Sequence, residues 1–158
     1  MFRRRKERKT DYARRMKFLK SEMPRLVFRK TNRYLITQYV TSKEAQDKIE
    51  MGISTKELLK HGWPKELSGS LKSITAAYFL GILVGKKIKE KKLREPIVDF
   101  GMMRMIHKSK PHAFLKGLVD SGLKLKHDEK TFPKLEKTQG KHIKNFDFEK
   151  IKSKVLEK

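Results

Sequence analysis

The feature that most limits the fold is one apolar run, Ile74 to Gly85, bounded downstream by a lysine cluster. Leu71, Ile74, Ala77 or Tyr78, Ile82, Gly85 and Ile88 recur at three- and four-residue spacing, the period of a helix. The run is 12 residues long, and a bilayer needs about 20. It therefore predicts a core helix opened by Ser70. Lys86, Lys87, Lys89, Lys91 and Lys92 follow in its last turns, where cations complement the helix dipole. Gly81 and Gly85 form a small-xxx-small pair, which between charged flanks implies a close approach of helix to sheet rather than a membrane dimer.

Strands for such a helix to cover lie on both sides of it. Arg25 to Lys30 is β-rich, Thr31-Asn32 supplies turn chemistry, and Arg33 to Val40 is β-rich again, which reads as a hairpin. A weaker third strand spans about Lys48 to Ile53. Ser54, with Glu57 three residues on, reads as a capping box for a short helix ending near His61-Gly62. A loop from Trp63 to Ser70 follows. Pro96 to Gly101 is a short buried-type strand. Ser109 and Pro111 start a second helix, His112 to Ser121, with Phe114 or Leu115, Leu118 and Val119 on its apolar stripe and Gly122 at its end.

The order strand-strand-strand-helix-strand-helix predicts a single small α/β domain over residues 24–122. Its sheet is mixed, the fourth strand entering parallel through a crossover, in an RNase-H-like topology. Residues 1–23 read as a basic arm that orders on a partner, with a short helix from Asp11 to Leu19. Residues 123–158 read as a Lys-rich extension. Its last stretch puts Phe148, Ile151 and Val155 on one helical face, suited to docking on the domain or on a partner.

Charge then narrows the function. The 158-residue chain has 41 Lys+Arg against 18 Asp+Glu, a net +23, and nine of its eleven arginines lie in residues 3–33. An excess of this size repels itself and calls for a polyanion. Arginine grips phosphate with a planar fork and stacks on bases, so the N-terminal fifth is the expected contact surface, while the later lysines serve partly for solubility. Arg29, Lys30 and Arg33 crowd the hairpin tip, which makes sense facing an anion. Within the N-terminal arm, Glu7, Asp11 and Glu22, with Ser21 as its lone serine, do not suit a mitochondrial transit peptide. The chain reads as soluble and intracellular, with no membrane partner.

The chemistry of an enzyme is missing. The chain has no cysteine, no phosphate-cradling glycine loop and no His-Glu-x-x-His. Its histidines (His61, His107, His112, His127, His142) lack ligand spacing, so no metal or cofactor is expected. A nuclease of RNase-H-like topology needs several carboxylates around two metals. Here Asp99 alone sits on a strand and Asp120 near a helix end. Asp99 is expected to be structural, pairing with a lysine or a backbone donor. No catalytic residue and no small-molecule substrate are expected.

Several segments, in order and spacing, resemble a ribosomal family. They are Pro24 to Tyr34, His61-Gly-Trp63, Gly69 to Ser73, Ala76-Ala-Tyr78, Gly81 to Lys87, Val98-Asp-Phe-Gly101, Ala113 to Leu123 and Gly140-Lys-His-Ile143. The family is large ribosomal subunit protein eighteen of the archaeal and eukaryotic type, and the chain is closer to the shorter archaeal form. The resemblance implies a non-catalytic protein of the cytoplasmic ribosome that binds 5S rRNA in the central protuberance. Its further implied partners are 23S-type rRNA and neighbouring large-subunit proteins. It carries RNA contacts onto Arg25, Arg29, Lys30, Thr31, Asn32, Arg33 and Tyr34 of the hairpin, and onto Arg14, Arg15 and Lys17 before it. Arg3, Arg4, Arg5, Lys6, Arg8 and Lys9 of the arm, Lys72 and Arg104 complete the expected set. Tyr34 has two open roles, stacking on a base or filling the core. Met102 to Lys110 departs from the small, Gly-containing basic turn of the family. A general basic RNA- or DNA-binding protein of another ribonucleoprotein or of chromatin is the alternative.

Overall fold

In a computed structural model, which describes residues 3–7, 10–44, 46–140, 143 and 146–157, strand alternation sets the two faces of the sheet. In β1 (Arg25–Lys30) Leu26 and Phe28 are fully buried, while Arg25, Val27 and Arg29 lie on the opposite face. β1 pairs antiparallel with β2 (Leu35–Lys43), and β2 pairs antiparallel with β3 (Gln46–Ser54) across a register shift at Tyr39/Val40. The register sets Leu26 opposite Tyr39 and Tyr39 opposite Met51, so these three share the core face. β4 (Ile97–Asp99) joins β1 in parallel, giving the order β3-β2-β1-β4. This is the single mixed-sheet α/β domain that the order of elements predicts.

The remaining elements are α1 (Arg3–Lys6), α2 (Tyr12–Lys20), α3 (Ile74–Glu90), α4 (Lys110–Asp120), α5 (Leu135–Thr138) and α6 (Phe148–Glu157). α3 is the core helix. Every residue from Thr75 to Gly85 is buried, because α3 meets the sheet, α4, α5 and α6 on its different sides. A helix apolar all round is one covered all round.

Several boundaries differ from expectation, each for a local reason. β2 begins at Leu35 rather than Arg33, because Thr31 closes a wider turn. Its N–H donates to the Tyr34 carbonyl at 2.9 Å, and its hydroxyl accepts from the Tyr34 N–H at 3.0 Å. The Ser54/Glu57 capping box does not form: residues Thr55–His61 wind as a 3-10 helix with no side-chain cap. Glu57 instead accepts from Lys87 Nζ at 2.8 Å. α3 starts at Ile74, capped by Ser73 Oγ accepting from the Ala76 N–H at 3.1 Å. Ser70 belongs to a preceding 3-10 turn, Lys65–Ser70, in which its hydroxyl donates to the Leu67 carbonyl at 2.6 Å.

Gly81 faces a helix and not the sheet. A Cβ at Gly81 would run into the Phe114 carbonyl oxygen and lie 2.9 Å from Gly117 Cα, so α3 and α4 meet backbone to backbone. α4 ends where the glycine signal put it, with Gly122 at φ +87°. The C-terminal helix docks on its own domain. Ile151 and Val155 are buried, and the Phe148 ring lies 5.0 Å from Phe79. Lys86 Nζ donates to the carbonyls of Val155 at 3.3 Å and Leu156 at 2.5 Å, satisfying the helix end. Asp120 accepts from the Tyr78 hydroxyl at 2.8 Å. Burial, aided by that carboxylate, pushes the Tyr78 hydroxyl pKa far up.

Candidate nucleic-acid interface

The outer face of the sheet collects the arginines. Asp11 caps α2 by accepting from the Arg14 N–H at 3.1 Å, and the helix shares a cleft with the outer face of the sheet. Two long-range bonds hold it: Arg15 Nη2 donates to Asp47 Oδ2 at 3.0 Å, and Arg14 Nη1 to the Gly101 carbonyl at 3.3 Å. Asp47 is shared. Its Oδ1 accepts from Arg25 Nη2 and from the Ser42 hydroxyl, both at 2.7 Å. Burial pushes the Asp47 carboxyl pKa up, but bonds from Ser42 and Arg15 and the Arg25 charge outweigh it and hold the group below its ordinary value.

Arg25, expected as an RNA contact, is 5% exposed. Its guanidinium is turned to Asp47 and Ser42, so it ties β1 to the β2–β3 hairpin from beneath. Arg29 is half-open. Its Nη1 donates to the Phe28 carbonyl at 2.8 Å and its Nη2 to Asp99 Oδ2 at 3.2 Å. Asp99 Oδ1 accepts from the Gly101 N–H at 2.7 Å. The structural role expected of Asp99 is therefore present, with an arginine and a backbone donor as partners. Gly101 turns the chain here at φ +60°, a backbone conformation that L side chains rarely adopt.

A second cluster sits at the end of the domain where β1 and β4 finish. Lys30, Thr31, Asn32 and Arg33 are exposed at the hairpin tip, and Tyr34 is half-buried and packs on the core. Burial lowers the Lys110 pKa, and the charges of Lys30 and Lys72 lower it further. Three ammonium groups from three separate segments thus share one field. Lys110 opens α4 and was not singled out by the sequence, because nothing in the local pattern says that it meets the hairpin tip. Asp47 was missed for the same reason.

The other expected contacts are scattered. Arg3 pairs with Glu7 at 3.7 Å and Arg4 Nε donates to Thr10 Oγ1 at 2.9 Å. Lys6 and Lys17 are exposed, and Arg104 is exposed in a segment with Met102, Met105 and Ile106 also open. Arg8, Lys9 and the Arg5 side chain lie outside the described residues, as do Lys141 and His142. The rings of His107 and His112 stack at 5.9 Å, and burial lowers the His112 pKa. Among the described residues no group of three or more acidic or histidine side chains could hold a metal, and no helix is long and apolar enough to cross a membrane.

A surface of arginine over a sheet is the setting in which the chain's relatives are read. A family model for ribosomal large subunit proteins 60S L5 and 50S L18 matches residues 1–98. The chain is 39% identical over 145 residues to the large ribosomal subunit protein uL18 of Korarchaeum cryptofilum (strain OPF8), covering 92% of this chain and 72% of that protein. The chain belongs to the L18 family of ribosomal proteins. Membership makes it a structural, non-enzymatic constituent of the large subunit, at work in the cytoplasm within the ribosome. Proteins of this family bind ribosomal RNA and neighbouring ribosomal proteins.

Proposed function

We propose that this L18-family chain binds 5S rRNA and attaches it to the large subunit, beside 23S-type rRNA and neighbouring large-subunit proteins. In this reading residues 1–23 are the basic arm, residues 24–122 the RNA-binding body and residues 123–158 its extension. The observation that carries the reading is the placement of α2. Asp47 and Gly101 hold its Arg15 and Arg14 over the same sheet face that presents Arg29. A-form RNA is recognised through phosphates, 2′-hydroxyls and unstacked bases, and a preset row of guanidinium groups suits that task. Arg14, Arg29, Lys30, Arg33, Lys72 and Lys110 make contacts, while Arg25 acts from below by fixing Asp47.

The test is a binding titration of 5S rRNA, an unrelated structured RNA and duplex DNA across salt concentrations. Preference for 5S rRNA is expected, with log affinity falling by about 0.7–0.9 per phosphate contact for each log unit of salt. Lys30→Ala/Arg33→Ala leaves the Arg29–Asp99 pair intact, so it should weaken binding and flatten the salt slope while circular dichroism stays native. Equal binding to all three nucleic acids, or an unchanged slope, contradicts the proposal.

A further inference from the structure

α2 lies over the sheet without fully burying any of its residues. A helix laid on a sheet normally fills the space between with apolar side chains. Here the space stays open as a cleft of about 410 Å³, inside the range of about 300–1,000 Å³ usual for ligand pockets. Val27 and Ile49 line it from the sheet, Ile49 being 55% exposed, and Phe18 lines it from the helix. The Arg14 guanidinium sits 5.4 Å from the centre of the Phe18 ring. The carboxylates of the wall are already engaged, Asp47 by Arg15 and Arg25, Asp99 by Arg29 and the Gly101 N–H, and Asp11 by the Arg14 N–H that it caps. The Arg14 guanidinium meets no carboxylate among the described residues; it donates to a backbone carbonyl and covers an aromatic ring.

We propose that this cleft receives one unpaired nucleotide of the bound RNA. Its base lies against Phe18 above Val27 and Ile49, and its phosphate meets Arg14 and Arg29. The inference rests on the RNA-binding reading above. The occupant must combine flat apolar faces with an anionic edge, because the cleft has an apolar middle and a cationic rim. A nucleotide has both, whereas an acidic peptide side chain would satisfy Arg14 and leave Phe18, Val27 and Ile49 facing water. Splayed bases stacked on aromatic rings and guanidinium planes are the usual route by which proteins read unpaired RNA.

The experiment uses the full chain and 5S rRNA carrying one abasic residue at a time at its unpaired positions, with affinity read by filter binding at fixed salt. One abasic position should lose roughly 5- to 150-fold, the size expected for one base–aromatic stack. Phe18→Ala should lose a similar factor, and the two losses should not add. Phe18→Tyr should keep the affinity. Ile49→Trp, made on an exposed strand position, fills the cleft from the sheet side with every α2 residue unchanged, and should bind intact and abasic RNA equally. Additive losses at every position, or unchanged affinity in both Phe18→Ala and Ile49→Trp, overturn the cleft assignment. So does a Phe18→Ala protein that binds RNA normally but loses a neighbouring ribosomal protein. Failure of the wild-type chain to bind RNA at all would instead strike down the functional proposal itself.

Discussion

Gly117→Ala should destabilise the protein, although helix propensity alone says the opposite. Alanine in a helix interior is favoured over glycine by about 1 kcal/mol, and Gly117 lies inside α4. The new methyl, however, would overlap the Tyr78 carbonyl oxygen and sit 3.0 Å from Gly81 Cα and 3.1 Å from Ile82 N. All three are backbone atoms of α3, so no side-chain rotation relieves the clash and the helices must part. Overpacking costs about 1–3 kcal/mol, and a rigid backbone neighbour puts this site in the upper part of that range. The net expectation is a loss of about 1–2 kcal/mol, or roughly 2–8 °C in Tm for a chain of this size. Urea unfolding followed by Trp63 fluorescence reads it well. Trp63 is the single tryptophan, is 2% exposed, and has its ring 6.4 Å from Phe79 of α3. Gly69→Ala is the control, since a Cβ there meets nothing within 4 Å, and it should change stability by less than about 0.5 kcal/mol. A Gly117→Ala protein as stable as wild type, or more so, would refute the backbone contact between α3 and α4.

Two further outcomes follow from the charge clusters. The Asp47 pKa is lowered in the fold, so its contribution is present above the ordinary carboxylate value of 3.8 and is lost as pH falls below it. Asp47→Asn should cost about 1 kcal/mol near neutral pH, the low end for a bond to a charged group that stays a third open to water. The two proteins should converge in acid, and a gap that persisted at low pH would count against the clamp. Lys110 has its pKa lowered by burial and by Lys30 and Lys72, so its charged form weakens the free fold, a penalty that is full below its depressed pKa, fades as pH rises through it and is gone above the ordinary value of 10.5. Lys110→Met should therefore raise the Tm of the free protein while weakening RNA binding and reducing the salt slope by about one. A drop in both would mean that Lys110 is structural.

Periodicity and charge segregation are local properties, and they were enough to indicate the elements and the partner. The 12-residue apolar run could only be a covered core helix, and the alternation in Arg25 to Val40 could only be a half-buried hairpin. Nine arginines in residues 3–33 pointed to a polyanion before any fold was known. What each charged group does there was decided by tertiary neighbours. Arg25 and Arg29 sit four residues apart on the same strand face, yet Arg25 is 5% exposed under Asp47 while Arg29 stays half-open beside Asp99. Lys30, Lys72 and Lys110 come from distant segments and share one field only through the tertiary fold. Gly81 looked like a sheet contact because a small residue signals close approach without naming the neighbour, and only the packing of α4 supplied Gly117. Local sequence sets which backbone shapes and faces are favourable, whereas the pairing of a charge or a glycine depends on residues tens of positions away. That pairing separates the arginine that builds the surface from those left free to use it.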